Sequence, residues 1–239
     1  FYRTLDLKHL ERALCSLSMQ TALDQATELV FVDNNTNYAP VEIENVVREY
    51  EELLPEVKYH FMKHGQSDRC HSWSANYGIR AAENDLVFFT RADYILMEDC
   101  LERMLAGMRD EQMAFMSGWC YQMACQRGGE PYEMEPPYEA FGWRDNVRNL
   151  LLWPHAHLFH ETDKDAGTYL TTRTAVAAGG WYDELMVSFG YQQSTLQRQM
   201  SNAGVRMEAI QEFLFCHQHH EADRDFARAR HEYMRSRGG

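Results

Sequence analysis

The sequence predicts an α/β fold with a mainly parallel, twisted sheet flanked by helices. Short apolar runs rich in β-formers alternate with stretches of helical spacing through the first half of the chain, the rhythm of βαβ units. Two of these runs break abruptly into polar groups. Residues 28–33 end in Asp33-Asn34-Asn35-Thr36-Asn37, and Leu86-Val87-Phe88-Phe89 ends in Thr90-Arg91-Ala92-Asp93. A strand that is apolar through the core and ends in charge puts that charge at the carboxyl edge, where open α/β sheets bind ligands. An Asp held there can ligate a divalent ion through oxygen, and an Arg can clamp phosphate bidentately.

Taken in order, Phe1-Tyr2-Arg3 reads as the tail of a first strand. Asp6 can cap a helix whose apolar positions Leu10, Ala13, Leu14 and Leu17 keep helical spacing. Residues 28–33 form the next strand, and 41–54 an amphipathic helix stopped by Pro55. A third strand spans 57–61, followed by a polar loop over 63–71. A helix over 74–83 leads into the strand 86–89, and another over 97–108 follows it. The second half is less regular. Residues 113–124 supply one or two strands, and 128–144, with three prolines and three glycines, read as a long ordered loop near a site. A strand over 168–172 and a helix over 173–178 end at Gly179-Gly180, and a helix over 191–203 is closed by Gly204. A strand over 205–210 and an apolar-then-histidine segment over 213–220 follow, and the charged stretch 221–239 reads as a surface helix or tail.

At 239 residues the chain is long enough for one α/β domain with a full core, although two small domains stay open. A formal charge of −13 argues against general nucleic-acid binding or attraction to an anionic membrane, without excluding a local basic pocket. The six cysteines, Cys15, Cys70, Cys100, Cys120, Cys125 and Cys216, form no CxxC pair and read as reduced core thiols of a cytoplasmic protein. No apolar run is long enough for a transmembrane segment, and no signal pattern opens the chain. A start at Phe1 fits a trimmed chain or one module of something longer.

Four stretches, in order, resemble the GT-A glycosyltransferases, most closely the inverting, family-2-like enzymes. Residues 10–20 (LERALCSLSMQ) look like the helix after the first strand, ending in a Ser-Leu-x-x-Gln-like element. FVDNNT at 31–36 is similar to the strand ending in Val-Asp-Asp-Gly-Ser that cradles the nucleoside. Residues 74–93 (SANYGIRAAENDLVFFTRAD) resemble Ala-Arg-Asn-x-Gly-Ile followed by the strand that ends in Asp-Ala-Asp. Residues 179–204 look like Gly-Gly-Phe-Asp-Glu, then Gly-x-Glu-Asp, then a helix ending Ala-Gly.

The resemblance implies one GT-A domain over 1–220, with a nucleotide-binding half over about 1–110 and an acceptor half over about 111–220. It implies transfer of a sugar from a nucleotide-diphosphate donor, UDP-linked, to a hydroxyl acceptor with inversion. The acceptor class stays open among a glycan, a lipid-linked sugar, a protein side chain and a modified nucleic-acid base. A leaving diphosphate needs a cation or fixed donors against its developing charge. By the resemblance Asp93 ligates a divalent cation (Mn or Mg), and Thr4, Asp33 and Asn34 contact the nucleoside. His217 lies where some members supply a second metal ligand, its other reading being one surface histidine beside His219 and His220.

The departures bear on the chemistry. Arg91 stands where the first acid of Asp-x-Asp is expected; it repels a divalent ion but can bind diphosphate directly. Ala75 replaces a common Arg, and Arg69 can serve the same pocket. Gln192-Gln193 replace Glu-Asp, and neutral amides cannot act as a general base. Asp183 and Glu184 become the base candidates, although carboxylates after a Gly-Gly turn also cap helices.

Several readings stay open. His155, His157 and His160 can share a zinc-binding strand face. Tyr132, Tyr138, Phe141, Trp143 and Trp153 suit either a sugar-stacking platform or a core. Arg144, Arg148 and the arginines of the tail suit a charged acceptor or an ordinary solvated face. Beside active glycosyltransfer stand a catalytically impaired GT-A module used for binding or scaffolding, and a sugar nucleotidyltransferase. The last lacks the Gly-rich loop expected near the N-terminus.

Overall fold

A computed structural model describes residues 7–34, 38–62, 71–108, 112–123, 126–127, 130–131, 156–159, 167–185 and 192–218. Helix α1 (Leu7–Ser18) buries Leu10, Leu14 and Leu17 on one stripe, the helical spacing read from the sequence. Strand β1 (Glu28–Asp33) pairs in parallel with β2 (Glu56–Phe61), with Glu28 opposite Glu56 and Asp33 opposite Phe61. Helix α2 (Pro40–Arg48) crosses between them, as a parallel pair requires. Pro40 occupies its first turn, and the Glu42 carboxylate accepts from the Ala39 N–H at 2.8 Å. This helix ends well before the expected Leu54. Glu49, Glu51 and Glu52 would crowd negative charge at its carboxyl end, against the helix dipole.

Helix α3 (His71–Ala81) begins three residues before the predicted 74 and leads into β3 (Leu86–Phe89). A short strand not foreseen, β4 (Tyr94–Leu96), follows the Arg91–Asp93 turn, so helix α4 (Cys100–Met108) starts later than 97. Residues 113–124 form a single strand, β5 (Ala114–Met123). The pair β6 (Gln126–Arg127) and β7 (Glu130–Pro131), together with β8 (Ala156–Phe159), is described from the stretch beyond it. Strand β9 (Tyr169–Thr172) and helix α5 (Arg173–Ala178) match expectation, with the Thr172 side chain capping α5 through the Ala175 N–H. Helix α6 (Gln192–Asn202) ends before Gly204, whose φ of 83° suits glycine. The two segments expected over 205–220 are one twelve-residue strand, β10 (Arg206–His217).

The larger sheet runs β3-β9-β5-β10-β4, with β8 also on β5. Its β5–β10 pair is parallel, whereas β3–β9, β5–β9, β5–β8 and β4–β10 are antiparallel. The α/β class holds, but the described strand pairs are mainly antiparallel rather than mainly parallel, with β1–β2 and β5–β10 the parallel ones among them. Helix crossovers separate the parallel pairs, while β9 enters between β3 and β5 in the opposite sense.

The core has one body on each side of the larger sheet. One joins Leu17, Leu96, Met104, Met116, Leu170 and Phe215; the other joins Ile79, Phe115, Tyr169, Val176, Leu196 and Met200. Burying each such side chain contributes about 1.5–3 kcal/mol. A third group (Leu10, Leu14, Ile43, Val47, Val57) seats α1 and α2 on β1 and β2. Gln20, from the Ser-Leu-x-x-Gln-like element, is buried. Its amide donates to Ser16 O at 3.0 Å and Met97 O at 2.7 Å and accepts from Leu101 N at 3.0 Å. One side chain thereby satisfies groups at the end of α1, the exit of β4 and the start of α4.

Cys100, Cys120 and Cys216 are buried and Cys15 is half-buried, none of the four in a disulfide; Cys70 and Cys125 lie outside the described residues. Among the described residues no helix is long and apolar enough to cross a membrane.

Candidate active site

The carboxyl ends of β1 and β3 open onto one cleft of about 560 Å³. Its body is apolar, lined by β1, β3 and the inner faces of α1 and α3. At the carboxyl ends of these strands it is lined by the polar groups Asp33, Asn34, His71, Thr90, Arg91 and Asp93, while Gln25, Thr27, Glu28 and Asn84 line it near the strands' starts. The chain thus brings two breakpoints, sixty residues apart in sequence (33 and 93), to one mouth.

Asp33 is buried, 3% exposed, at the tip of β1. Tyr59 on neighbouring β2 donates its hydroxyl to Asp33 Oδ2 at 2.8 Å. Burial, then the Asp33 carboxylate, push that phenol well above its ordinary range, so it remains a donor. The other oxygen, Oδ1, is buried with no hydrogen-bond partner among the described residues. A buried acceptor left open at the mouth of a cleft suits a ligand N–H.

Asp93 follows the turn after β3 and is 2% exposed. Arg91 grips it in bidentate fashion, Nε to Oδ1 at 2.9 Å and Nη2 to Oδ2. His217 Nε2, from the far end of β10, lies 3.1 Å from Oδ2. Gln218 N donates to the Asp93 carbonyl at 2.8 Å. Tyr94 supports the group from below. The His217 ring stacks on it with centroids 5.0 Å apart, and the Arg91 guanidinium sits 5.2 Å over its ring. The expected partnership of Asp93 with His217 is therefore spatially real, although 124 residues separate them.

Whether this set fits a divalent cation depends on Arg91. Both carboxylate oxygens already face its fork. Like unit charges 4 Å apart repel by about 4 kcal/mol at an effective dielectric of 20, so a doubly charged ion meets roughly 8 kcal/mol. Among the described residues no group of three or more His, Cys, Asp and Glu is arranged to hold a metal. The described residues around Asp93 do not fit a resident divalent cation. The zinc reading of His155, His157 and His160 falls largely outside the described residues, as do Thr4, Arg69 and the aromatic loop.

His71, at the first turn of α3, went unnoticed in the sequence because one histidine after a polar loop has no signature. Its ring packs edge-on against Phe89 and Tyr182, at 5.9 and 5.7 Å. Burial, then the nearby Arg91 cation, push its pKa down to about 3. The imidazole is neutral at physiological pH.

The base candidates sit on the loop after α5. Gly180 and Trp181 both adopt positive φ, 87° and 69°, and the non-glycine value marks a strained backbone. Asn76 on α3 holds that loop. Its Nδ2 donates to Tyr182 O at 2.9 Å and Glu184 Oε1 at 2.8 Å, and its Oδ1 accepts from Tyr182 N at 3.0 Å. Arg80 adds a longer contact of 3.4 Å to Glu184 and covers the Trp181 ring at 4.5 Å. Asp183 Oδ1 accepts from the Leu185 N–H at 2.9 Å. Gln193 is buried, and its Oε1 accepts from the Tyr182 hydroxyl, which in turn lies 2.8 Å from the Tyr169 hydroxyl. With the Tyr182 proton spent on Gln193, Tyr169 donates to Tyr182.

The profile of glycosyl transferase family 2 matches residues 2–163. A search of curated proteins gave no match. Among solved structures, S. aureus TarS matches with a TM-score of 0.60 at 14% identity, over 89% of this chain and 34% of that one. S. aureus TarS 1–349 in complex with UDP-GlcNAc gives 0.60 at 13% identity, over 90% of this chain and 56% of that one. The complex with UDP gives 0.56 at 13%, over 88% and 56%. The chain therefore spans about a third to just over half the length of these neighbours, and the likeness concerns the fold. With a family profile covering more than half its length and this fold around the cleft, the chain belongs to glycosyl transferase family 2 and has the GT-A α/β fold.

Proposed function

We propose that the cleft binds a nucleotide-diphosphate sugar, a UDP-sugar, and transfers its sugar to a hydroxyl acceptor with inversion. The observation that carries this is the convergence of Asp33, Asn34, Arg91 and Asp93 on one mouth. Asp33 offers an acceptor to a base edge that donates N–H, which uracil has. Arg91, fixed by Asp93 and Tyr94, offers positive charge to the diphosphate as it leaves. Neutral His71 adds a polar ring beside it without adding charge. The UDP and UDP-GlcNAc complexes of TarS support the donor class.

Inversion requires a base for the acceptor hydroxyl. Glu184 is engaged by Asn76 and Arg80, which favours Asp183 as the base and Glu184 as the anchor of its loop. Thr4 and Arg69 complete the proposed nucleotide contacts, and the acceptor is any of the hydroxyl-bearing classes the sequence allows. The expected Mn or Mg at Asp93 and His217 competes with Arg91 for the same carboxylate. UDP release from UDP-sugars offered with a panel of glycan, lipid-linked and peptide acceptors tests the reaction. Asp93→Ala should lower it at least about 10²-fold with the circular dichroism unchanged; full activity in that variant would refute the assignment.

One observation favours the scaffold reading. Gln193 is tied into a neutral network where the family carries acid. Steady turnover of donor by the purified protein eliminates that reading.

A further inference from the structure

Resting on the donor reading above, we propose that Arg91 is the resident cation of the diphosphate subsite, so that nucleotide binding requires no divalent ion. Geometry carries this. Asp93 is 2% exposed and its two oxygens meet Nε and Nη2 of Arg91. That edge of the guanidinium is spent on Asp93, and the planar fork then presents its Nη1 edge in another direction. Tyr94 lies under the cation at 5.2 Å, which restricts it to one plane. Arg91 itself lines the cleft beside Asp33, Asn34 and Thr90. A carboxylate that would ordinarily coordinate a metal serves here to position a side-chain cation. His217 closes the same carboxylate from the other side at 3.1 Å.

Such a site binds phosphate oxygens by charge-assisted hydrogen bonds, and its affinity follows the guanidinium rather than the ion supplied in solution. A metal-dependent site would instead lose its nucleotide to a chelator. Asp93 is then a positioning residue, and Arg91 the group that touches the diphosphate.

Calorimetric titration of the whole chain with UDP, GDP, CDP and dTDP, each in EDTA and in Mn²⁺, tests the proposal. One nucleotide should bind with the same Kd within about twofold in both buffers. Arg91→Gln should weaken it at least about tenfold, while Arg91→Lys retains part of the affinity. Arg91→Asp rebuilds an acidic pair and should bind nucleotide only when Mn²⁺ is present. Thermal midpoints of all three variants show whether each is folded. Wild-type binding lost in EDTA and restored by Mn²⁺ overturns this inference and leaves the donor reading standing. No binding by any nucleotide in either buffer overturns both.

Discussion

The Asp93 group at the cleft and the Gln193 group, whose members are not among the cleft's lining residues, solve opposite electrostatic problems. At Asp93 a nearly inaccessible carboxylate is held by a guanidinium and an imidazole, while the residue's backbone carbonyl accepts from Gln218 N. At Gln193 an equally buried side chain sits in a chain of neutral hydroxyls. Nearby on the loop after α5, the carboxylates Asp183 and Glu184 are half-buried and exposed respectively. The difference teaches where a buried ion can be sustained: beside a partner that cannot lose its charge. Around Tyr182 and Tyr169 the chain uses an amide instead.

Removing the charged group should have the largest effect. Asp93→Ala strands the Arg91 cation. Besides the activity loss given above, unfolding stability should fall by about 2 kcal/mol, less than the ~3–5 kcal/mol of a sealed pair because Arg91 keeps some solvent. Equilibrium urea unfolding measures it, and an unchanged midpoint means the pair is not formed.

Asn76→Ala attacks the link between α3 and the loop after α5. It removes three bonds to the strained loop and leaves a Tyr182 backbone carbonyl and N–H to find other partners. A loss of about 2 kcal/mol is expected, with kcat reduced and donor Kd little changed. A variant that loses nucleotide affinity and retains kcat contradicts the assignment of this loop to the acceptor side.

A smaller change sharpens the contrast. Gln193→Leu deletes the acceptor of the Tyr182 hydroxyl and should cost about 1 kcal/mol, with nucleotide binding unaffected. If nucleotide affinity falls as well, the neutral Gln193 group takes part in the donor site.

The smallest effect concerns His71. Its folded pKa lies near 3, below its ordinary 6.5, so the unfolded chain takes up a proton first as the pH falls. Its contribution is complete above 6.5 and is lost progressively as the pH drops towards 3. His71→Phe should therefore flatten the fall in stability between neutral and acid pH relative to wild type. Parallel denaturant curves at successive pH values show this directly; identical slopes would mean the ring is protonated in the folded chain.

Local pattern reveals the fold better than the site. Strand β1 and helix α5 were legible to the residue, because an apolar run or a Thr cap announces each end. Strand β10 was not, since the polar Gln211-Glu212 falls where its register with β5 shifts, and the break reads as a turn. Strand β4 was hidden because three apolar residues after a charged turn carry no periodicity. In the site, strand ends pointed to Asp33, Arg91 and Asp93. Family likeness suggested His217, and only the structure pairs it with Asp93. Tyr59, His71 and Asn76 escaped because each acts through a partner distant in sequence. Asn76 was on the page within the Ala-Asn-Tyr-Gly stretch, yet its role is visible only once the Tyr182 loop lies against α3.

Cys216 is the residue immediately before His217, fully enclosed, and burial pushes its thiol well above the ordinary range. A maleimide in solution can reach it only when the end of β10 peels away from β4 and β5. Its alkylation rate, read by peptide mass spectrometry, is thus a native stopwatch for the detachment of the strand that brings His217 to the cleft. A nucleotide that tightens the Asp93 group would slow that clock, with no mutation needed to read it.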